Sequence, residues 1–267
     1  MLVGAGDIAS CGLTADSATA KVAAGIAGTV STAGDNAYEG GTAAEFQDCY
    51  GPTWGAFRDR TNPAPGNHDY GTSGAGGYFG YFGTRAGPAG TGWHAYDLGA
   101  WRIYALNSNC TKVSCAAGSE QEQWLPADLA TSPRACVLAY WHHPRFSSGE
   151  HGNDTGVTPL WNALYEAGAE VIAGAEVIVN GHDHDYERFA PQSPGGAADP
   201  ARGIRELVVG TGGASLRSFS TIRANSEVRN STTYGVLKLT LSSGSYTWEF
   251  VPAGSGTFKD SGSGTCR

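Results

Sequence analysis

Short apolar stretches recur along the chain, and most of them end at a turn or at a group of polar residues. Their shortness and their β-branched and aromatic content are typical of buried strands. The sequence predicts strands at residues 2–5, 29–33, 93–98, 101–106, 136–141, 177–180, 206–210, 234–241 and 246–251. Gly99-Ala100 predicts a hairpin between the two strands that it separates, and Ser243-Gly244 predicts a turn.

Helical segments are expected between these strands. Residues 14–28 are rich in alanine and begin at a candidate cap, Thr14 or Asp16, which predicts a helix. The other predicted helices lie at 42–60, with a break near Gly51-Pro52, at 120–130 and at 157–168. The glycine-rich segment 71–92 predicts an irregular loop that carries aromatic side chains.

Strands and helices alternate in the middle of the chain, and strands follow one another at its end. This order predicts a mixed α/β fold in which two mixed sheets pack together with helices outside. The segment 168–172 is repeated at 174–178. We expect the second copy to be a strand and the first to complete the preceding turn.

The composition narrows the class of protein. A chain of 267 residues is expected to form one domain over residues 1–267, which would bury roughly three quarters of its unfolded surface. The net charge of −8 and the scattering of the 17 Lys and Arg residues argue against a nucleic-acid partner, because such a partner needs a basic face. The sequence has no run of 18 apolar residues, so we expect no membrane-spanning helix.

Six cysteines predict disulfide bonds and therefore an oxidising compartment. No C-x-x-C pair is present, which argues against a thiolate zinc site. Six cysteines allow 15 pairings, and our hypothesis pairs Cys11 with Cys49, Cys110 with Cys115 and Cys136 with Cys266. We expect a secreted or periplasmic protein whose signal peptide is absent from this sequence, because Met1 directly precedes a predicted strand.

Five polar motifs follow predicted strands or turns, where loops converge on one edge of a sheet. They are Gly6-Asp7, Gly34-Asp35-Asn36-Ala37-Tyr38, Gly66-Asn67-His68-Asp69, His142-His143-Pro144 and Gly181-His182-Asp183-His184. Together they supply carboxylates, imidazoles, an amide and a phenol, which are the ligands of a two-metal hydrolytic centre.

In this order, the motifs resemble those of the calcineurin-type metallophosphoesterases, and most of all those of the purple acid phosphatases and their bacterial relatives. The resemblance implies a four-layer α/β/β/α sandwich. By position, it assigns Asp7, Asp35, Tyr38 and His184 to one metal ion. It assigns Asp35, Asn67, His142 and His182 to the other, so that Asp35 bridges the two.

The two ligand sets suit different ions. Two carboxylates and a phenolate suit a trivalent ion such as Fe(III), whereas an amide, two imidazoles and the shared carboxylate suit divalent zinc, iron or manganese. Many members of the superfamily have Asp-x-His in the first motif, where this chain has Asp7-Ile8-Ala9. Tyr38 could fill the position that the missing imidazole leaves. Alternatively, Tyr38 only packs over the site.

The resemblance also implies catalytic groups that do not bind metal. His68 and His151 match histidines that face the substrate, and Asp69 could orient His68. Either histidine could stabilise the phosphoryl charge or protonate the leaving group. Alternatively, His151 is an exposed loop residue.

Several further residues near the motifs are ambiguous. His143 is a candidate neighbour of the metal ligands, and Asp183 or Tyr186 could orient them, but surface roles are equally consistent. Arg145 could reach a phosphate. We expect His94 to be a hydrogen-bonded structural histidine, and residues 210–213 to form a tight turn near the site rather than a nucleotide-binding loop.

The resemblance implies a phosphoric-ester hydrolase with small-molecule substrates, most simply phosphomonoesters. In such enzymes two ions about 3.5–4 Å apart activate a water for in-line attack on phosphorus. A phosphodiesterase or nucleotidase on the same scaffold is the first alternative, because the sequence does not give the width of the pocket. A non-catalytic, metal-binding interaction protein is the second, although metal binding alone does not need His68.

Overall fold

The computed structural model describes residues 1–167 and 174–267. The strands are β1 (Leu2–Ala5), β2 (Ala9–Ser10), β3 (Thr29–Ala33), β4 (Ala37–Tyr38), β5 (Thr61–Ala64), β6 (His94–Leu98), β7 (Trp101–Ala105), β8 (Cys136–Tyr140), β9 (Ala175–Asn180), β10 (Tyr186–Phe189), β11 (Arg205–Val209), β12 (Ser226–Asn230), β13 (Gly235–Ser242), β14 (Ser245–Pro252) and β15 (Ser261–Thr265).

The α-helices are α1 (Ala15–Gly25), α2 (Ala43–Glu45), α3 (Gly76–Phe82), α4 (Glu120–Thr131) and α5 (Thr158–Ala167). A π-helical turn continues α2 over Phe46–Tyr50, and 3-10 turns lie at Trp54–Arg60, Asp69–Gly71, Ser73–Ala75 and Gly83–Ala86. In the part of the chain described, no helix is both long and apolar enough to cross a bilayer.

Two mixed sheets organise these elements. The first sheet has the strand order β15-β14-β13-β1-β3-β5, and the second has the order β12-β10-β11-β9-β8-β7-β6. Strands β1, β3 and β5 run parallel in the first sheet, as do β7, β8, β9 and β11 in the second. The other neighbours in both sheets are antiparallel.

Alternation of side chains along the strands separates two apolar cores. Leu138 and Val177 of the second sheet share a core with Val3 of the first. Their neighbours Val137 and Ile178 face the other side, where they pack with α4 and α5. Helix α1 contacts β13 and β14 and thus covers the first sheet. The layers are helix, sheet, sheet and helix, which confirms the predicted sandwich.

The parallel strands bring the motif loops together. Asp7, Asp35 and Asn67 follow the carboxyl ends of β1, β3 and β5, and His142 and His182 follow those of β8 and β9. Ligand sites in open α/β sheets lie outside such carboxyl ends. Both sheets therefore contribute polar side chains to one edge of the sandwich.

The three hypothesised disulfides are present, and they pair all six cysteines. Cys11–Cys49 joins the loop after the first aspartate to the helical segment that follows Tyr38. Cys136–Cys266 attaches the C-terminal segment to the start of β8. Both bonds restrain segments that lead into or out of the motif loops.

The prediction of an irregular loop at 71–92 is wrong, because this segment contains α3 and two 3-10 turns. The ring of Phe82 contacts the rings of Phe46, Tyr50 and Tyr78 at centroid distances of 5.2–5.7 Å. Burial of these rings outweighs the low helix propensity of the glycines.

Strands β2, β4, β5, β10, β12 and β15 were not predicted. β12 and β15 are edge strands whose residues are partly or fully exposed, so the apolar pattern that marks buried strands is missing from them. Of the repeated segment, the second copy, 174–178, contains the first four residues of β9 and is a strand, as predicted. The first copy, 168–172, lies outside the described residues.

Candidate metal centre

Unusual backbone geometry allows the motif loops to approach one another. Asp7, Asp35 and His182 have positive φ angles of 60°, 48° and 72°, a conformation that costs free energy in residues with a side chain and that clusters at functional sites. A Cβ atom on Gly66 would lie 2.1 Å from Asp35 Oδ1, and one on Gly34 would lie 2.5 Å from the His142 Cβ. Glycine is therefore required at both positions.

Three other predicted metal ligands surround the phenol of Tyr38. Its hydroxyl lies 2.8 Å from Asp7 Oδ1, 3.1 Å from Asp35 Oδ2 and 3.2 Å from His184 Nε2. All four side chains are buried. Tyr38 thus lies among the predicted ligands, with its oxygen directed at them rather than packed over them.

The other ligand set converges on the His142 ring. His142 Nε2 lies 3.2 Å from Asp35 Oδ2, 3.1 Å from Asn67 Oδ1 and 3.2 Å from His182 Nδ1. The same oxygen of Asp35 therefore faces both sets. Contacts with Asp35, Tyr38 or His142 thus link all seven predicted ligands into one cluster.

Backbone groups fix which atom of each side chain faces inward. The carbonyls of Ala33 and Ser215 lie 2.9 and 2.8 Å from the Nδ1 atoms of His142 and His184. A carbonyl can only accept, so each Nδ1 carries a proton, and each Nε2 is the nitrogen that faces the cluster, where a metal ion can replace its proton. The His182 backbone N–H donates to Asp7 Oδ2 at 2.8 Å, which leaves Asp7 Oδ1 directed at the cluster.

The charge balance of the cluster favours bound cations. Burial would raise the pKa of Asp35, but the neighbouring His142 outweighs it and holds this pKa below the usual range. Burial would lower the pKa of His142, but Asp35 and Asp7 raise it to about 9. Burial and the same two carboxylates raise the pKa of the Tyr38 phenol. A cation among these oxygens would reverse the effect on Tyr38.

His68 faces the cluster from its open side. Its Nδ1 donates to the Glu39 carbonyl at 2.7 Å, and its Nε2 lies 4.0 Å from Asp35 Oδ2. The prediction that Asp69 orients His68 is not met, because the buried Asp69 carboxylate accepts from the backbone of Gly66 and from Asn36. Burial and the Asp35 charge raise the pKa of Asp69 to about 7.

His151 also reaches the site, from the loop 147–152. Its ring stacks on that of His182 with centroids 4.2 Å apart. Asp183, which separates two predicted ligands in the sequence, accepts from the backbone of His151 at 2.8 Å and of Gly152 at 3.2 Å. Its carboxylate also accepts from the hydroxyl of Ser147. Asp183 therefore holds the His151 loop.

The other ambiguous residues are also located. His143 lies within 4.8 Å of His142 and His182, measured between ring nitrogens, and its Nδ1 lies 2.9 Å from Ser108 Oγ. The guanidinium of Arg145 donates to the Pro194 carbonyl, which favours a structural role for it. Tyr186 donates to Asp260 and not to a predicted ligand.

The expectation that His94 is hydrogen-bonded is wrong, because within the described residues both of its ring nitrogens are buried and unpartnered. Burial lowers its pKa to about 4. Residues 210–213 form the expected tight turn near the site, since the backbone N–H of Gly212 donates to the Gly6 carbonyl at 2.9 Å and that of Ala214 donates to the Asp7 carbonyl at 2.9 Å.

Sequence reasoning missed Glu39, Ser215 and Arg217. Glu39 and Ser215 act through backbone carbonyls, which any residue supplies. Arg217 could have been found, because it follows the turn after β11. Strand β11 runs parallel to its neighbour β9, so the carboxyl ends of both strands lie at the same edge of the sheet.

Comparison with known proteins places the chain in a family. Residues 25–186 match the family described as calcineurin-like phosphoesterase. This match covers more than half of the chain, which therefore belongs to the calcineurin-like phosphoesterase family. The resemblance drawn from the five motifs is confirmed.

Individual relatives are distant. The chain is 27% identical over 152 residues to the uncharacterized protein Rv2577 of Mycobacterium tuberculosis, covering 46% of this chain and 28% of that protein. It is 25% identical over 192 residues to the probable inactive purple acid phosphatase 27 of Arabidopsis thaliana, covering 63% and 30%. This chain therefore spans less than a third of the length of these relatives.

Among solved structures, the chain is similar to the purple acid phosphatase PPD1 from yellow lupin seeds. The TM-score is 0.72 at 20% identity, over 98% of this chain and 53% of that chain. At this identity the similarity shows the fold alone.

Proposed function

We propose that this chain is a binuclear metal-dependent phosphoric-ester hydrolase that acts preferentially on phosphomonoesters. The observation that carries the proposal is the position of the Asp35 carboxylate, one oxygen of which lies 3.1 Å from Tyr38 and 3.2 Å from His142. A carboxylate shared between two ligand sets is the arrangement that a two-metal hydrolytic site requires. Membership of the phosphoesterase family supports the same reaction class.

The donor atoms fit two different ions. Asp7, Asp35, Tyr38 and His184 would hold Fe(III), and Asp35, Asn67, His142 and His182 would hold a divalent zinc, iron or manganese ion. Bound there, the two ions would acidify a water and neutralise phosphate charge. The fixed orientations of His142 and His184 support this assignment, because backbone carbonyls hold their Nδ1 atoms and their Nε2 atoms face the cluster.

Two histidines would act on the substrate rather than on the metals. The Glu39 carbonyl fixes a proton on Nδ1 of His68, so its Nε2 can carry a second proton towards a phosphate or leaving-group oxygen above Asp35. The His151 ring, stacked on His182, lies at the same opening. General acid catalysis of this kind typically contributes 10²–10⁴-fold.

We further propose that the two sheets act as a single catalytic domain, because each contributes ligands to one centre. The three disulfides support a secreted or periplasmic location, since such bonds persist in oxidising compartments.

The proposal is tested by measuring kcat/KM for p-nitrophenyl phosphate and for bis(p-nitrophenyl) phosphate, together with metal content. We expect two ions per chain and a higher kcat/KM for the monoester. A higher value for the diester would favour the phosphodiesterase alternative. Two bound ions without hydrolysis of either ester would favour a non-catalytic metal-binding protein, a possibility that the Arabidopsis relative's name also raises.

A further inference from the structure

The guanidinium group of Arg217 lies at the rim of the metal centre. Its Nη1 is 3.0 Å from His151 Nε2 and 3.4 Å from Glu150 Oε2. Its backbone N–H donates to the carbonyl of the predicted ligand His184 at 3.0 Å. The backbone of Arg217 is therefore fixed beside His184 on one side of the cluster, and its guanidinium group extends to His151 on the other side.

We propose that Arg217 binds the outward-facing phosphate oxygens of the substrate and thereby makes the site prefer dianionic monoesters. This inference rests on the proposed phosphoesterase function and names the residue that would set its substrate class. The following geometry supports it.

Hydrogen bonds hold the Arg217 segment against the His151 loop. The Ser220 backbone N–H donates to the Ser148 carbonyl at 2.8 Å, and its hydroxyl donates to the Gly149 carbonyl at 3.2 Å. Further along, Arg223 donates from its backbone to Ser148 Oγ at 2.9 Å and from Nε to the Ser147 carbonyl at 3.1 Å. The distance between Arg217 and His151 is therefore set by the fold.

The charge of Arg217 is available to a ligand. Its acidic neighbour, Glu150, has a side chain that is 62% exposed, and the Arg217 side chain is 38% exposed. An ion pair of this exposure is weak, because water screens both charges. An incoming phosphate can therefore displace Glu150 and bind the guanidinium group, whose two parallel N–H donors match two phosphate oxygens.

The position of Arg217 discriminates between esters. A phosphoryl group held above Asp35 turns its remaining substituents towards the rim, where His151 and Arg217 lie. In a monoester dianion one of these substituents is a charged oxygen, whereas in a diester it carries a second organic group. A cation at the rim therefore stabilises the monoester more than the diester.

The test compares Arg217→Gln with Arg134→Gln. Arg134 is a matched control, because its side chain is 36% exposed and paired with the partly exposed Asp97, and it precedes the amino end of β8, at the opposite end of the strand from the site. Inorganic phosphate binding to the metal-loaded protein is measured by calorimetry, and kcat/KM is measured for the monoester and the diester.

For Arg217→Gln we expect about a tenfold or greater loss of phosphate affinity and of monoester kcat/KM, the effect of removing a hydrogen bond to a charged group. Diester kcat/KM should change by less than about threefold, and metal content should not change. Arg217→Lys should recover part of the loss, because it keeps the charge without the fork. Glu150→Gln should tighten phosphate binding by roughly two- to fivefold.

Equal losses for monoester and diester, or unchanged phosphate affinity in Arg217→Gln, would overturn the role of Arg217 while leaving the hydrolase proposal intact. Phosphate binding tests Arg217 even if the wild-type protein hydrolyses neither ester. In that case the proposed function fails, and a selective loss of phosphate affinity in Arg217→Gln would still assign the anion site.

Discussion

Replacing Asp35 by asparagine tests the shared carboxylate most selectively. The substitution keeps the size of the side chain and an oxygen that can accept from the His68 backbone, which donates to Asp35 Oδ1 at 2.8 Å. It removes the negative charge that both ligand sets share. After the change, the Tyr38 set still contains Asp7, whereas the set around His142 contains only neutral groups.

The loss should therefore fall on the second ion. Removing one partner of a buried charged pair costs about 3–5 kcal/mol, or roughly 10²–10⁴-fold in affinity. The side chain of Asp35 is only 2% exposed, so water cannot replace the missing charge. We expect the metal content to fall from two ions to one and phosphoester turnover to be lost.

Metal content is measured by mass spectrometry after dialysis against a graded series of chelator concentrations. Asp16→Asn is the matched control. Asp16 lies on helix α1 and is also buried, at 4% exposure, but its carboxylate accepts from the Thr53 hydroxyl and not from a predicted ligand. A second readout is the titration of His142 in metal-free protein. Its pKa of about 9 depends on Asp35 and should fall in the variant.

Retention of two ions by Asp35→Asn, with affinities within about threefold of the wild type, would refute the bridging role. The same conclusion would follow if Asp16→Asn lost metal to the same extent, because the effect would then reflect burial of any aspartate.

Three further predictions concern single side chains. Tyr38→Phe should abolish a visible absorption band from a phenolate–Fe(III) pair and keep two ions; a colourless, fully active wild type would instead indicate two divalent ions. His68→Ala should lower kcat by about 10²–10⁴-fold at unchanged metal content, and loss of metal would contradict its catalytic role. His94 lies away from the motifs, and burial lowers its pKa from 6.5 to about 4. As the pH falls below 6.5, His94 becomes protonated in the unfolded chain but stays neutral in the folded chain. The free energy of unfolding therefore decreases towards pH 4, by on the order of 3 kcal/mol. Denaturant unfolding at pH 7 and pH 4.5 should show a smaller loss for His94→Phe, and equal losses in both proteins would contradict this origin.

The predictable parts of the fold are those with strong local signals. Among the buried strands, β8 is apolar throughout, β9 carries three consecutive aliphatic residues and β3 is rich in β-branched residues. The positions of all three agree with the sequence prediction to within a few residues. The motif residues could be grouped because carboxyl ends of parallel strands meet at one edge. Helix α3 was missed because its stability comes from rings on distant segments, such as Phe46, and not from its own glycine-rich sequence.

Within the site, the seven side chains that meet in the candidate metal centre were predictable from the motifs. The supporting contacts were not. The Glu39 and Ser215 carbonyls orient His68 and His184. Every residue has a backbone carbonyl, so the sequence does not indicate which carbonyls have this role. Asp69 shows the opposite error, in which a predicted contact is absent. It was expected to orient its sequence neighbour His68, but its carboxylate accepts from the Asn36 side chain instead.

Anomalous diffraction from a crystal of the purified protein tests the central claim most directly. We predict two metal peaks about 3.5–4 Å apart, with Asp35 between them, Tyr38 and His184 beside one, and His142 and His182 beside the other. A single peak, or peaks bound by other residues, would contradict the account.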